Sequence, residues 1–161
     1  MKMNDYISAF TDHLVEALAI GKASELKACD AQIQNVLICG LGGSGIGGTI
    51  LNDLVSDKVG VPVSASKDYS IPHFVGENTL VIASSYSGNT EETLFALKAC
   101  QERGAQIACI SSGGALQKMA QENGYNLITI PGGHPPRAMF AYSFTQLFFM
   151  FNHYGLIDNS F

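Results

Sequence analysis

The sequence predicts an α/β fold, a flavodoxin-like doubly wound five-stranded parallel sheet in a three-layer αβα sandwich. Three observations lead there. Short, strongly apolar runs recur at residues 36–39, 61–65, 79–83, 106–110 and 126–130. Helical stretches lie between most of them, at 44–56, 89–103 and 115–123. Near-continuous apolar strands that alternate with helices belong to a parallel sheet covered on both faces. Third, two of the strand-to-helix turns are rich in glycine and serine. In doubly wound sheets the carboxyl ends of the strands, near the topological switch point, are where ligands bind.

Each element has its own signal. Tyr6, Phe10, Leu14 and Leu18 recur at helical spacing, so the first twenty residues read as an amphipathic helix, and 25–29 as a short turn. Val36-Leu37-Ile38-Cys39 is the first strand and runs into Gly40-Leu41-Gly42-Gly43-Ser44-Gly45-Ile46-Gly47-Gly48. The connection 67–77 contains Pro72 and reads as loop. Leu80-Val81-Ile82-Ala83 runs into the second turn, Ser84-Ser85-Tyr86-Ser87-Gly88-Asn89-Thr90. After Pro135-Pro136-Arg137 a final helix is predicted over 138–151. Phe140, Phe144, Leu147, Phe148 and Phe151 make one face of it, and Tyr142 and Phe149 point nearly opposite. A helix apolar all round is buried all round. This one is too short to span a bilayer, which takes about 20 apolar residues. Its second face is expected to meet a partner subunit or a further domain unless the first helix covers it, so a homodimer or higher homo-oligomer is expected.

The chain has 161 residues, one domain by size, 47% hydrophobic and only 14% charged. That charge content is low for a free-standing soluble domain, which again suggests covered surface. The net charge of -5 leaves no basic field for nucleic acid. Cys29, Cys39, Cys100 and Cys109 form no C-x-x-C pair and lie at no zinc-finger spacing from a histidine. Cys39 and Cys109 read as small buried hydrophobes. Lys2, Asn4 and Asp5 interrupt the first ten residues, unlike a signal peptide. A cytoplasmic protein without a membrane span is expected.

The chemistry concentrates in the two turns. Glycines let a backbone approach a ligand closely. A following helix offers unpaired N–H groups and a partial positive charge to an anion, and hydroxyls add donors. Together the turns suggest one phosphate and the polyol attached to it. Ser85, Ser87 and Thr90 are placed to surround the phosphate, with Asn89 or Ser87 capping the next helix. Glu91 and Glu92 suit a first helical turn electrostatically, with a catalytic role as the alternative. Gly40, Gly42 and Gly45 also satisfy G-x-G-x-x-G, with Asp68 as a conceivable ribose ligand. That dinucleotide reading leaves the second turn and Ser44 unexplained. His73 and His134 lie in proline-containing loops open to a functional role, while His13 and His153 lie on helices. Arg137, directly after two prolines at a helix start, faces an unfavourable dipole and calls for a local anion.

Gly42-Gly43-Ser44-Gly45, Ser85-Tyr86-Ser87-Gly88-Asn89-Thr90-Glu91-Glu92-Thr93 and Pro135-Pro136-Arg137 together resemble the SIS (sugar isomerase) domain, in order and approximate spacing. Within that family the likeness is to the N-terminal half of bifunctional phosphoglucose/phosphomannose isomerases, and it covers nearly the whole chain. The resemblance implies that Ser44, Ser85, Ser87 and Thr90 bind a sugar phosphate, with Gly42 and Gly43 in the same site. It implies that Arg137 is catalytic, stabilising an enediolate near C1–C2. It implies aldose–ketose isomerisation of hexose 6-phosphates, glucose or mannose 6-phosphate to fructose 6-phosphate, with no metal or organic cofactor. Family members carry two such domains. Their base glutamate, ring-opening histidine and a lysine come from the second, which has no counterpart here, so 1–161 is read as a single phosphosugar-binding domain with a helical segment at 1–30, inactive alone. The alternatives are a non-catalytic phosphosugar sensor and a stand-alone single-domain isomerase.

Overall fold

The computed structural model describes residues 2–159, so Met1, Ser160 and Phe161 of the expected 1–161 domain lie outside the described residues. Helices α1 (Met3–Ser8) and α2 (Phe10–Ala23) lead in. There follow β1 (Asn35–Cys39), α3 (Gly42–Val55), β2 (Val63–Ser66), β3 (Thr79–Ser85), α4 (Glu91–Glu102), β4 (Gln106–Ser111), α5 (Gly114–Asn123) and β5 (Asn126–Thr129). A 3-10 turn (Pro136–Met139) and α6 (Phe140–His153) close the described chain. The five strands are all parallel, in the order β2-β1-β3-β4-β5. The predicted doubly wound sheet is therefore borne out, and β1 and β3 flank the switch point.

Strand side chains alternate between the two faces, and two cores follow. Val36, Ile38, Leu80, Ile82 and Ile110 pack with Ala17 of α2, Leu51 and Val55 of α3, and Leu147, Met150 and Phe151 of α6. Leu37, Cys39, Val81, Ala83 and Cys109 pack with Ala96, Leu97 and Cys100 of α4 and Leu116 and Ala120 of α5. Burial on both faces explains why every residue of β3 is buried, whereas the edge strand β2, Val63-Ser64-Ala65-Ser66, alternates apolar and polar. Cys39 and Cys109 lie in the core as expected. Burial pushes the Cys109 thiol up to about 12.

Three expectations need correction. The first helix is interrupted at Ala9 (φ -86, ψ 5), so that α2 starts at Phe10, and residues 25–29 form no turn. The last helix begins at Phe140, because Pro136 through Met139 wind as a tighter 3-10 turn. The second face of α6 is not uncovered either, because α2 packs on it. Tyr142 is 3% exposed and donates its phenol proton to Glu16 Oε2 at 2.6 Å. Phe149 packs against Gly21, where a Cβ would overlap its ring. Gln146, fully buried, donates from Nε2 to the Ala17 carbonyl at 2.8 Å. Apolar surface remains in a groove of about 600 Å3 along α2 and α6, lined by Leu14, Leu18, Phe144, Phe148 and the half-buried Phe149, and in an exposed row on α3 of Ile46, Ile50 and Leu54.

Tyr142 also sets a pH dependence. Burial first, then the hydrogen bond and negative charge of Glu16, hold its ionisation above the ordinary tyrosine value. A folded pKa raised above the unfolded one gives stability that is present below about pH 10 and lost as pH climbs through the folded value. Tyr142→Phe should cost about 1 kcal/mol at neutral pH. Its deficit against wild type should shrink above pH 10 in urea unfolding. A deficit that stays constant to high pH would show that Tyr142 carries no such linkage.

Candidate functional site

Three loops converge at the carboxyl ends of β1 and β3. The β1–α3 turn enters its helix at Gly42, in a left-handed conformation (φ +55). Gly45 sits so close beneath that a Cβ would lie 2.5 Å from the Gly40 carbonyl oxygen, a backbone atom that cannot step aside. Ser44, between them, is 8% exposed on the first turn of α3. The helix takes no side-chain cap.

The β3–α4 turn brings hydroxyls to the start of α4. Ser85 Oγ and Thr90 Oγ1 lie 2.8 Å apart in mutual hydrogen bond. Ser87 Oγ accepts the Asn89 N–H at 3.2 Å. Thr90, not Asn89, is the N-cap residue, and its side chain makes no capping bond. The expected capping by Asn89 is thus corrected: its Oδ1 accepts the Ala115 N–H at 3.0 Å, at the start of the neighbouring helix α5. The first turn of α4 therefore keeps its N–H groups free of side-chain acceptors, the arrangement that favours an anion. Ser84 Oγ and Thr93 Oγ1, nearby in sequence, are buried with no hydrogen-bond partner among the described residues.

The third loop follows β5 and carries Arg137. Gly132 and Gly133 lead to His134, and Pro135 and Pro136 lead to Arg137, exposed on the 3-10 turn. Arg137 makes no salt bridge among the described residues; the pair found there is Lys118 with Glu122.

The loops touch one another pairwise. Gly40 of the first packs on the Ser84 carbonyl, where a Cβ would come to 2.8 Å. Gly43 of the first faces the Pro136 carbonyl, 3.9 Å from its Cβ position. Tyr86 of the second accepts the His134 N–H of the third on its phenol oxygen at 3.0 Å. Gly42, Gly43, Ser44, Ser85, Ser87, Thr90 and Arg137 accordingly belong to one cluster of loops.

The other candidates separate. His134 Nδ1 shares a 3.0 Å hydrogen bond with the Tyr6 phenol. His13 lies tilted beside Tyr142, ring centroids 5.3 Å apart, and His153 Nε2 meets the Lys27 carbonyl at 2.7 Å. Both are structural. His73 is exposed on the β2–β3 connection. Asp68 lies beyond the end of β2, with its Oδ1 accepting the Tyr69 N–H at 2.7 Å. Glu92 lines a narrow crevice with Ser66, Lys67 and Asp68 at the ends of β1 and β2. The two ties that sequence reasoning missed, Tyr86 to His134 and Tyr6 to His134, join residues far apart in the chain, and no local pattern announces them.

A doubly wound α/β domain with hydroxyl-lined, glycine-bearing turns at its switch point defines a class, the α/β sandwiches whose candidate site lies at the strand ends. Comparison with known proteins narrows it. The SIS domain family model matches residues 31–155, and the chain belongs to the SIS domain family. It is 46% identical over 147 residues to the bifunctional phosphoglucose/phosphomannose isomerase of Caldicellulosiruptor bescii, covering 91% of this chain and 43% of that protein. It is 48% identical over 108 residues to the enzyme of the same name from Thermoplasma acidophilum, covering 67% of this chain and 33% of that one. The chain thus spans less than half the length of these curated relatives. In fold it matches a provisionally assigned phosphosugar isomerase of Clostridium difficile 630 with a TM-score of 0.81 at 17% identity, covering 99% of this chain and 48% of the other.

Proposed function

We propose that this chain is the phosphosugar-binding SIS unit of a hexose 6-phosphate isomerase, with its N-terminal helices as part of the same unit. The observation that carries this reading is the Ser85–Thr90 hydroxyl pair at an uncapped helix start, on a loop that touches the loops of Ser44 and Arg137. The names of the relatives from Caldicellulosiruptor bescii and Thermoplasma acidophilum support the same chemistry. In this reading Ser85, Ser87 and Thr90 take the phosphate oxygens together with the first N–H groups of α4. Gly42, Gly43 and Ser44 hold the sugar end. Arg137 stabilises the negative charge that develops when a proton leaves C2 of the open-chain aldose and an enediolate forms. Returning that proton to C1, with the hydroxyl proton passing from O2 to O1, gives the ketose. The charge is fixed before the reaction, so stabilisation comes without reorganisation. By resemblance, the base glutamate, the ring-opening histidine and a lysine come from a second SIS domain.

The reading includes a homodimer or higher homo-oligomer, supported by the apolar groove of Leu14, Leu18, Phe144 and Phe148. It includes a cytoplasmic setting, supported by four unpaired cysteines. Among the described residues no helix is long and apolar enough to cross a membrane.

Two substitutions made together test the phosphate assignment. Ser85→Ala combined with Thr90→Val should weaken inorganic phosphate and glucose 6-phosphate alike, by about tenfold or more, since each lost hydrogen bond to a charged oxygen is worth about 1.5–3 kcal/mol. Isothermal calorimetry reads both ligands. Unchanged phosphate affinity in the double variant would place the anion elsewhere.

A further inference from the structure

We propose that Tyr86 is a positioning residue, which sets the place of Arg137 relative to the phosphate turn through the backbone of His134. The inference rests on the phosphosugar reading above and adds to it a residue that touches no ligand. Tyr86 is itself well fixed. Its carbonyl accepts the Ser112 N–H at 3.0 Å and the Ser112 hydroxyl at 2.6 Å, so the start of the next turn holds its backbone. Its phenol oxygen then accepts the His134 N–H at 3.0 Å, across 48 positions of sequence.

What lies on each side of His134 gives that bond its leverage. Before it stand Gly132 and Gly133, the latter at φ +82, a pair that confers little stiffness. After it stand Pro135 and Pro136, whose rings fix φ near -65°. A displacement of His134 is taken up on the glycine side and passed on along the proline side, to Arg137. The phenol of Tyr6 holds the imidazole of the same histidine at 3.0 Å, so His134 is pinned by both backbone and side chain. Ser85 and Ser87 adjoin Tyr86 in sequence. One side chain thus refers the cation to the two hydroxyls that flank it.

A double-mutant cycle on the chain tests this, with wild type, Tyr86→Phe, Arg137→Ala and the double variant titrated with glucose 6-phosphate and, separately, inorganic phosphate. Phenylalanine keeps the ring and removes the acceptor. Tyr86→Phe should weaken glucose 6-phosphate about three- to tenfold, the ordinary worth of one hydrogen bond, and leave inorganic phosphate unchanged. In the Arg137→Ala background the same substitution should cost less than about twofold, because the group it positions is gone. Amide exchange at His134 should quicken in Tyr86→Phe. Equal factors in both backgrounds would overturn the proposal and point to direct contact of the phenol with the sugar. Unaltered affinity in Tyr86→Phe, or unaltered exchange at His134, would overturn it too. Wild type that fails to bind glucose 6-phosphate saturably would overturn the phosphosugar reading as well, and this shows before any variant is made.

Discussion

Gly88→Ala is expected to abolish saturable hexose 6-phosphate binding and to lower stability by about 2–3 kcal/mol. Gly88 sits in the left-handed region, at φ +69, where a residue with a Cβ is strained. The space is closed as well. A Cβ there would overlap the Gly113 carbonyl oxygen and come within 2.7 Å of Ser111 Oγ. Ser111 Oγ is already committed, donating to the Gly113 carbonyl at 2.8 Å. Gly88 is bonded on both sides, its N–H to the Ser85 carbonyl at 3.1 Å and its carbonyl to the Leu116 N–H at 2.9 Å. Relief of the overlap must therefore move the turn between Ser85 and Thr90, and the hydroxyl pair parts. Urea unfolding and a glucose 6-phosphate titration of the same preparation measure the two effects. A variant with wild-type affinity and full stability would contradict this geometry.

Turnover by the 161-residue chain alone should be at least about 10²–10⁴-fold slower than by an enzyme with a general base in place. The carboxylates next to the hydroxyl turn are Glu91, exposed, and Glu92, which lines the crevice at the ends of β1 and β2. His134 is held by Tyr6 at Nδ1. Glu92 and His134 would have to give up these contacts to act as a base. A coupled assay for glucose 6-phosphate to fructose 6-phosphate conversion reads this directly. Ordinary enzyme rates would contradict it, and Glu91, Glu92 and His134 would then be the residues to substitute.

Much of this fold is legible in the sequence because burial on both faces writes the central strands β1 and β3 as near-continuous apolar runs, whereas the edge strand β2 is Val63-Ser64-Ala65-Ser66. Val36 to Cys39 and Thr79 to Ala83 needed no partner to be recognised. Strand ends extend a residue or two further than apolarity alone suggests, since Ser84, Ser85 and Ser111 pair in the sheet as polar residues. The break at Ala9 escaped notice because Tyr6, Phe10, Leu14 and Leu18 keep their helical spacing across it. The face of Tyr142 and Phe149 is legible as apolar, and its cover by the first helix is one of the alternatives the pattern leaves open. Gly21, whose missing side chain lets α2 settle on Phe149, carries no signal until the two helices are seen together. The turns of the candidate site could be read from their glycines and hydroxyls. Asn89 was misread because an Asx residue beside a helix start caps whichever helix is nearer in space, here α5. The ties of Tyr86 and Tyr6 to His134 depend on tertiary packing and on nothing local.

The central claim is that the hydroxyl turn and Arg137 bind one hexose 6-phosphate together. An NMR titration of the chain, followed through backbone amides, tests it most directly with glucose 6-phosphate, inorganic phosphate and glucose as ligands. Glucose 6-phosphate should shift Ser44, Ser85 to Thr90 and the first turn of α4 together with Arg137, saturably. Inorganic phosphate should compete and shift the hydroxyl turn but not Arg137, and glucose should shift neither. Saturable shifts centred elsewhere, or a phosphate response that leaves Ser85 to Thr90 unmoved, would contradict the account.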